Sequence, residues 1–170
     1  MGTGLIVRSC HVALSGRVLT NMRVAFVFTD EMADMVAKLV SLFRNNGIFT
    51  WTPNNIYAGQ IARTATRRAY YEADFILVFV TARSVNTQGE YRRQIRMAME
   101  ANEMMPSSGV KVIPILLENC NLPFVLESLM SVRAFEGDAL QRLVLAWVKE
   151  WQRRNEANDW PNIMYRSYWQ

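Results

Sequence analysis

The sequence predicts a doubly wound α/β domain in which helices cover both faces of a five-stranded parallel sheet. Apolar runs of strand length alternate along the chain with segments of helical period, an order typical of this class. The runs are apolar almost without interruption, as expected of strands buried on both faces, and the clearest is FILVFVT at 75–81. The length of 170 residues suits one such domain.

The other four strands each have a local signal. The first is RVAFVFT at 23–29, and the second is IFTWT at 48–52, which ends in a turn-rich loop. VKVIPILL at 110–117 is a further buried strand, although Pro114 predicts a local irregularity or a sheet edge there. The last strand, at 131–135, has the weakest signal.

Four longer segments follow the helical period between and after these strands. The first ends at Asn46-Gly47, a common helix stop, and the last begins with the capping-box pattern of Asp138 and Gln141. Each segment has an apolar stripe that should face the sheet. The stripes are Met32, Met35, Val36, Leu39 and Phe43; Ile61, Ala65, Ala69 and Ala73; Tyr91, Ile95, Ala98 and Met99 within 88–103; and Leu140, Leu143, Val144, Trp147, Val148 and Trp151.

The chain divides into a central domain and two terminal segments. Met22 directly precedes the first clear strand, so we expect an N-terminal extension over 1–21 and the folded domain over 22–154. Arginines interrupt every apolar stretch of 1–21, so no export signal is expected there. Residues 155–170 form an aromatic tail that either packs back onto the domain or contacts another protein. No apolar run approaches the roughly 20 residues that cross a bilayer, which predicts a cytoplasmic protein without membrane contact.

Several kinds of chemistry lack the residues that they need. Cys10 and Cys120 have no metal-ligand spacing and His11 is the only histidine, so we predict neither a metal site nor a Ser-His-Asp triad. The loop TDEMA after the first strand lacks the glycines of a dinucleotide-binding turn, and the chain contains no GxxxxGK[ST] phosphate loop. A phosphorylatable receiver would need an aspartate where Thr81 ends the third strand.

Arginines are concentrated in one part of the chain, where the acidic residues are only Glu72, Asp74 and Glu90. The cluster favours either a phosphate-bearing ligand or acidic partner, or two solvated helix faces. It does not alternate with aromatic residues in the manner of a nucleic-acid platform, so direct nucleic-acid binding is not expected. The arginines are Arg63, Arg67, Arg68, Arg83, Arg92, Arg93 and Arg96.

In an open parallel α/β sheet, ligands bind beyond the carboxyl ends of the strands. This rule selects candidate binding residues at the ends of the first three strands and in the loops that follow. Each type also has a structural alternative: Asp30 as a helix N-cap, Trp51 as core rather than a stacking surface, and Ser84 as a helix cap. Asn54, Asn55 and Gly59 are equally typical of turns. The candidates are Phe28, Thr29, Asp30, Trp51, Asn54, Asn55, Gly59 and Ser84.

Five segments of the chain carry a resemblance to a known family. They are RVAFVFTDEMADMVAKL; GIFTWT with its polar loop and Gly59; ADFILV at 73–78; RSVNTQGEYRRQIRMAME; and IPILL with Leu122-Pro123 shortly after. In this order they resemble the first strand and helix, the second strand and BB-loop, the third strand, a helix entry and the fourth strand of TIR (Toll/interleukin-1 receptor) domains. The resemblance covers roughly residues 23–151, implies a flavodoxin-like fold, and is nearest in kind to the stand-alone, NAD-cleaving bacterial proteins of Thoeris-like antiphage systems.

The resemblance implies that NAD is a substrate rather than a cofactor. TIR domains of this type break the nicotinamide–ribose bond and release ADP-ribose or a cyclic isomer as an immune signal. A glutamate on the helix after the third strand stabilises the positive charge that develops on the ribose. Counted from Gly89, that position is Gln94, and Glu90, with Tyr91 adjacent, stands where the family has an aromatic residue. Glutamine keeps the shape but not the charge, so we expect little or no activity.

Gln94 leaves two explanations open. It is either an isosteric replacement that traps substrate, favoured by the family-like context RRQIRMAME, or the mark of a non-catalytic TIR interaction module. Glu90, one turn away, either acts in its place or is a solvated residue at the start of the helix. The helical period places Gln94 at the margin of the apolar stripe, facing a cleft. The resemblance also implies self-association through TIR surfaces.

Overall fold

The computed structural model describes residues 21–105 and 109–157. The predicted extension at 1–21 lies outside the described residues except for residue 21, and the predicted tail at 155–170 lies outside them after residue 157. Within these ranges, no helix is long and apolar enough to span a membrane.

The described residues form five strands and five α-helices, with two helices after β3 and none between β4 and β5. The strands are β1 (Arg23–Val27), β2 (Phe49–Trp51), β3 (Phe75–Val80), β4 (Val112–Leu116) and β5 (Val132–Arg133). The helices are α1 (Ala33–Asn45), α2 (Ala62–Glu72), α3 (Ala82–Val85), α4 (Glu90–Glu103) and α5 (Ala139–Ala157). Short 3-10 turns cover Asp30–Met32, Pro53–Asn55 and Phe124–Leu126.

The strands form one parallel sheet in the order β2-β1-β3-β4-β5. This is the strand order of flavodoxin-like doubly wound proteins, so the predicted fold class is confirmed. The direction in which strands are added reverses between β1 and β3. Ligands of such sheets bind at this switch point, beyond the carboxyl ends of the two strands.

The helices cover the two faces of the sheet and create two separate cores. α1 and α5 pack on one face, where the rings of Phe26 and Phe79 stack with centroids 6.1 Å apart. α2 and α4 pack on the other face, over Val27 and Ile76. Successive strand residues point to opposite faces, so the neighbours Phe26 and Val27 belong to different cores. A side chain on α4 is therefore separated from α1 by the sheet.

Two of the helix predictions need correction. Ile61, predicted on the buried face of the second helix, is 72% exposed at the N-cap of α2, and the buried face is instead formed by Thr66, Ala69 and Tyr70. The predicted helix at 88–103 begins at Glu90, because Gly89 has φ +88°, outside the helical region.

Pro114 lies within β4, which is an internal strand of the sheet, so a sheet edge was the wrong prediction. The N–H of Leu117 donates to the backbone oxygen of Val80 on β3. Because N–H directions alternate along a strand, the backbone nitrogen of residue 114 points to the opposite side, toward β5. β5 pairs only with Ile115 and Leu116. The missing N–H of Pro114 therefore leaves no strand hydrogen bond unmade.

A network of buried charges lies at the amino edge of the sheet. Asp74, directly before β3, accepts hydrogen bonds from the backbone N–H (2.8 Å) and from Nη2 (3.0 Å) of Arg23. Arg154 of α5 is fully buried and donates to the backbone oxygen of Asp74 and to Oε1 of Glu150, each at 2.8 Å. These contacts hold the amino ends of β1 and β3 against α5.

Lys111, directly before β4, is buried beside this network. Its ammonium Nζ donates to the backbone oxygen of Tyr71 at 2.9 Å. Burial and the nearby charge of Arg154 lower the pKa of Lys111 to about 7, while Asp74 acts in the opposite direction. We call Arg23, Asp74, Lys111, Glu150 and Arg154 the amino-edge network.

Candidate functional site

The switch point between β1 and β3 is crossed by the side chain of Glu31. Its Oε1 accepts a hydrogen bond from Oγ1 of Thr81 at 2.9 Å, and its Oε2 lies 3.5 Å from Nη1 of Arg83. Glu31 belongs to the 3-10 turn after β1, and Thr81 directly follows β3. The crevice that this fold offers to a ligand is thus bridged by polar side chains.

Gln94, at the start of the second turn of α4, is buried on the face of the sheet that α2 and α4 cover. It is 6% exposed, and its Oε1 accepts a hydrogen bond from the hydroxyl of Tyr70 on α2 at 3.5 Å. Tyr70 is itself fully buried and packs edge-on against Trp51, with ring centroids 5.7 Å apart. The helical period predicted Gln94 at the margin of the apolar stripe of α4, and in the structure α2 covers this position, so its side chain is buried.

The hydroxyl of Tyr70 is a hydrogen-bond donor to residue 94. Burial, and to a smaller extent the negative charge of Glu90, raises the pKa of Tyr70 far above its ordinary value. The hydroxyl therefore stays protonated throughout the physiological range. It can donate equally to the amide oxygen of Gln94 or to a carboxylate in its place.

Ser84 and Tyr91 hold the helices after β3 against the end of that strand. Oγ of Ser84 accepts from the N–H of Thr81 at 2.9 Å, while the N–H of Ser84 donates to Oγ1 of Thr81 at 3.1 Å, a reciprocal capping box. The hydroxyl of Tyr91 donates to the backbone oxygen of Phe79 at 2.7 Å. Burial raises the pKa of Tyr91 to about 12, although a hydrogen bond with Ser84 acts the other way. The geometry supports the cap alternative for Ser84.

Glu90 and Asp30 both lie on the surface. Oε2 of Glu90 is 2.7 Å from Nη1 of Arg93, one turn further along α4. Asp30 is the first residue of a 3-10 turn whose N-cap is Thr29, so Asp30 is not the cap. Oγ1 of Thr29 is buried and has no hydrogen-bond partner among the residues that the structure describes.

A groove of about 360 Å³ lies between α1 and the loop after β2, and we call it the α1 groove. Three predicted binding residues line it: Phe28, Asn54 and Asn55. Oδ1 of Asn55 accepts from the N–H of Thr52 at 2.8 Å and lies 3.2 Å from its Oγ1, which fixes the orientation of this amide. The other lining residues are Ala33, Val36, Ala37, Val40, Ser41, Arg44 and Thr52.

The predicted site residues do not form one site. Phe28 packs with the core under α1, whereas Gln94 contacts Tyr70 in the core on the opposite face of the sheet. Trp51 is 3% exposed within that second core, which supports its core alternative. Gly59 is exposed with φ +88°, a conformation that favours glycine in a turn.

Two residues at this edge were not among the candidates. Tyr70 lies in the polar stretch ARTATRRAYYE, where two adjacent tyrosines leave open which one is buried. A helical projection with Thr66, Ala69 and Tyr70 on the inner face would have selected it. Glu31 follows the first strand, but its contact with Thr81 depends on which strands are neighbours, and the local pattern does not contain that information.

Part of the arginine cluster is occupied by acidic side chains. Nη2 of Arg67 on α2 lies 3.2 Å from Oε2 of Glu100 on α4, and Nε of Arg68 lies 2.8 Å from Oε1 of Glu72. The pair of Arg67 and Glu100 is exposed and contributes little to stability, whereas the side chain of Glu72 is largely buried. The alternative of a solvated helix face is therefore supported for Arg67.

Within the described ranges, no group of three or more histidine, cysteine, aspartate or glutamate residues is placed to hold a metal ion. Cys120 is a free, partly buried thiol, and burial raises its pKa. The surroundings of residue 94 and the α1 groove remain as the two candidate functional features.

The sequence model of the TIR domain family matches residues 24–144, from β1 into α5. The match covers more than half of the chain, and the chain belongs to the TIR domain family. A search of curated proteins gives no match. TIR domains act in signalling and in NAD cleavage, so family membership brings both classes of function into consideration.

Proposed function

We propose that this chain is a TIR signalling module of the NAD-cleaving lineage whose own catalysis is silenced by an amide at residue 94. The proposal is supported by Gln94, which the resemblance equates with the family's glutamate and which lies on α4, where it accepts a hydrogen bond from Tyr70. NAD is the substrate, and the product is ADP-ribose or a cyclic isomer that serves as an immune signal, as in bacterial antiphage systems. The protein acts in the cytoplasm.

The exchange of a carboxylate oxygen for an amide nitrogen at residue 94 removes a negative charge that the reaction needs. Breaking the nicotinamide–ribose bond develops positive charge on the ribose, and a nearby carboxylate stabilises that charge. An amide offers a dipole but no net charge. The loss of one such electrostatic stabiliser costs on the order of 3–4 kcal/mol in the transition state, roughly a hundred- to thousandfold in rate. The chain therefore turns over NAD slowly or not at all.

The burial of residue 94 adds two conditions. Because its side chain is 6% exposed, contact with the substrate needs a rearrangement of the surrounding loops, which self-association of TIR surfaces would supply. A carboxyl group in this place is desolvated and lies one turn from Glu90, and both effects favour its protonated form. The activity of a Gln94→Glu variant should therefore rise with pH as that carboxyl group ionises.

The test measures release of nicotinamide from NAD by the unmodified chain and by Gln94→Glu. Gln141→Glu is the matched control, because it makes the same amide-to-acid change at an exposed residue of α5. Assays run between about pH 6 and pH 9 at increasing protein concentration, after circular dichroism has established that each variant is folded. Gln94→Glu should gain activity about a hundredfold or more, and Gln141→Glu should not. A folded Gln94→Glu variant without activity under all these conditions overturns the proposal.

A second candidate is a TIR interaction module without catalysis. It is favoured by Phe124 and Met130, which follow β4 and are 85% and 92% exposed. Large exposed apolar side chains are typical of protein contacts. Sedimentation of the unmodified chain and of the double variant Phe124→Ser, Met130→Ser tests this function. An interaction module should form an assembly that the double variant loses. Its Gln94→Glu variant should also be inactive.

A further inference from the structure

The α1 groove has one charged residue among those that line it, Arg44 at the end of α1. Nε of Arg44 donates to Oγ1 of Thr50 at 2.8 Å, and Thr50 on β2 is fully buried. This bond fixes the base of the guanidinium group. The terminal nitrogens of Arg44 have no hydrogen-bond partner in the part of the chain that the structure describes. They are available to an anion, which planar guanidinium groups bind through two hydrogen bonds.

Two amide groups in the loop after β2 add further donors to the groove. Because Oδ1 of Asn55 accepts two contacts from Thr52, its Nδ2 points away from Thr52. The side chain of Asn54 is exposed and makes no hydrogen bond within the described residues. Among the described residues, no carboxylate lines the groove. The polar part of this surface therefore offers donors and positive charge, and it is complementary to a phosphate or carboxylate.

The rest of the groove has an apolar wall. Val36 and Val40 of α1 are 1% and 9% exposed, and Phe28, directly after β1, is partly buried beside them. A volume of about 360 Å³ is within the range of small-molecule sites. An inorganic anion would leave the apolar wall without a partner, so the ligand should have an apolar body as well as an anionic group.

We propose that the α1 groove binds a small phosphate ester of a flat ring compound. The ester's phosphate contacts Arg44 and the amides of Asn54 and Asn55, and its ring lies against Phe28 and Val40. This site is separate from the one around Gln94, because the sheet lies between α1 and α4. The proposal goes beyond NAD cleavage and does not depend on it.

The probe is phenyl phosphate, titrated into the ¹⁵N-labelled chain, with inorganic phosphate and phenol as its two separate parts. Resonances of α1 and of the loop at 52–55 should shift, and phenyl phosphate should bind at least about tenfold more tightly than either part. Absence of these shifts, or equal binding of phenyl phosphate and inorganic phosphate, overturns the proposal.

Three variants locate the site. Arg44→Gln should weaken the binding of phenyl phosphate about tenfold. Lys38→Gln is the matched control, because it removes a cation from the same helix outside the groove and should leave binding unchanged. Ala37→Leu keeps the helix propensity of α1 but fills the groove, and binding should be lost. Equal weakening by Lys38→Gln and Arg44→Gln would mean that only the net charge of α1 matters. None of these variants changes residue 94, so failure here leaves the nicotinamide assay unaffected.

Discussion

The two edges of the sheet treat buried polar groups in opposite ways. At the amino edge, the carboxylate of Asp74 is buried together with the guanidinium groups of Arg23 and Arg154. At the carboxyl edge, residue 94 is an uncharged amide beside the hydroxyl of Tyr70, and the charge that acts on Tyr70 is that of Glu90, an anion. This fold therefore buries a carboxylate where cations surround it, and, among the described residues, it has a neutral group where no cation is close.

The amino edge is the more vulnerable of the two to loss of one partner. Asp74→Ala should lower the free energy of unfolding by about 3–5 kcal/mol, because it removes a buried carboxylate that lies against two buried guanidinium groups, those of Arg23 and Arg154. Asp34→Ala, at an exposed position in the first turn of α1, is the control and should change it by less than about 1 kcal/mol. Urea unfolding monitored by circular dichroism provides the measurement. A loss below about 1 kcal/mol for Asp74→Ala would show that the buried carboxylate does not stabilise the amino edge.

Lys111 makes the same edge sensitive to pH. Its pKa is about 7 in the folded chain, against an ordinary value near 10.4, so the unfolded chain binds more protons between these two values. The free energy of unfolding should therefore rise with pH in this window, by about 2 kcal/mol from about pH 7 to pH 9. Below about pH 6, Lys111 is protonated in both the folded and the unfolded chain, so its effect should no longer depend on pH.

Lys111→Met isolates this effect. The side chain of Lys111 is 2% exposed, and methionine is apolar and similar in length, so the variant should fold and should be more stable than the unmodified chain near pH 7. Urea unfolding at several pH values gives the free energy of unfolding of Lys111→Met and of the unmodified chain as functions of pH, and the two curves should converge as the pH approaches 10. Parallel curves would show that Lys111 is not the group responsible.

The carboxyl edge should respond least to the loss of its partner. Tyr70→Phe removes a long hydrogen bond of 3.5 Å to a neutral amide, and the free energy of unfolding should fall by about 1 kcal/mol. Tyr71→Phe, the neighbouring and partly exposed tyrosine, is the matched control and should have almost no effect. A loss for Tyr70→Phe as large as that for Asp74→Ala would contradict the contrast between the two edges.

The sequence predicted the elements of the fold because their signals are local. The apolar run at 75–81 was sufficient to predict β3 as a strand of a parallel sheet that is buried on both faces, and Asn46-Gly47 to predict the end of α1. The prediction of a sheet edge at Pro114 was wrong because the effect of this proline depends on the length of β5, which is a neighbour in space and not in sequence. The prediction for Ile61 was wrong because the apolar stripe was extended to the N-cap of α2, where the side chain is exposed.

The candidate site was less predictable, for the same physical reason. The position of Gln94 on α4 follows from the local motif after Gly89, and the structure places it on that helix. Its burial depends on Tyr70, which comes from another helix and contacts it across the core. The grouping of Phe28 with Asn54 and Asn55, apart from Gln94, depends on which helix covers which face of the sheet. Contacts of this kind depend on tertiary structure and have no signature in one stretch of sequence.

We propose that residue 94 decides whether this TIR domain cleaves NAD. The decisive measurement is the ratio of kcat/KM for nicotinamide release between Gln94→Glu and the unmodified chain, near pH 8 at a concentration where both associate equally. We expect a ratio of about a hundred or more, which falls as the pH is lowered. A ratio near one, with Gln94→Glu folded, would show that residue 94 does not decide activity.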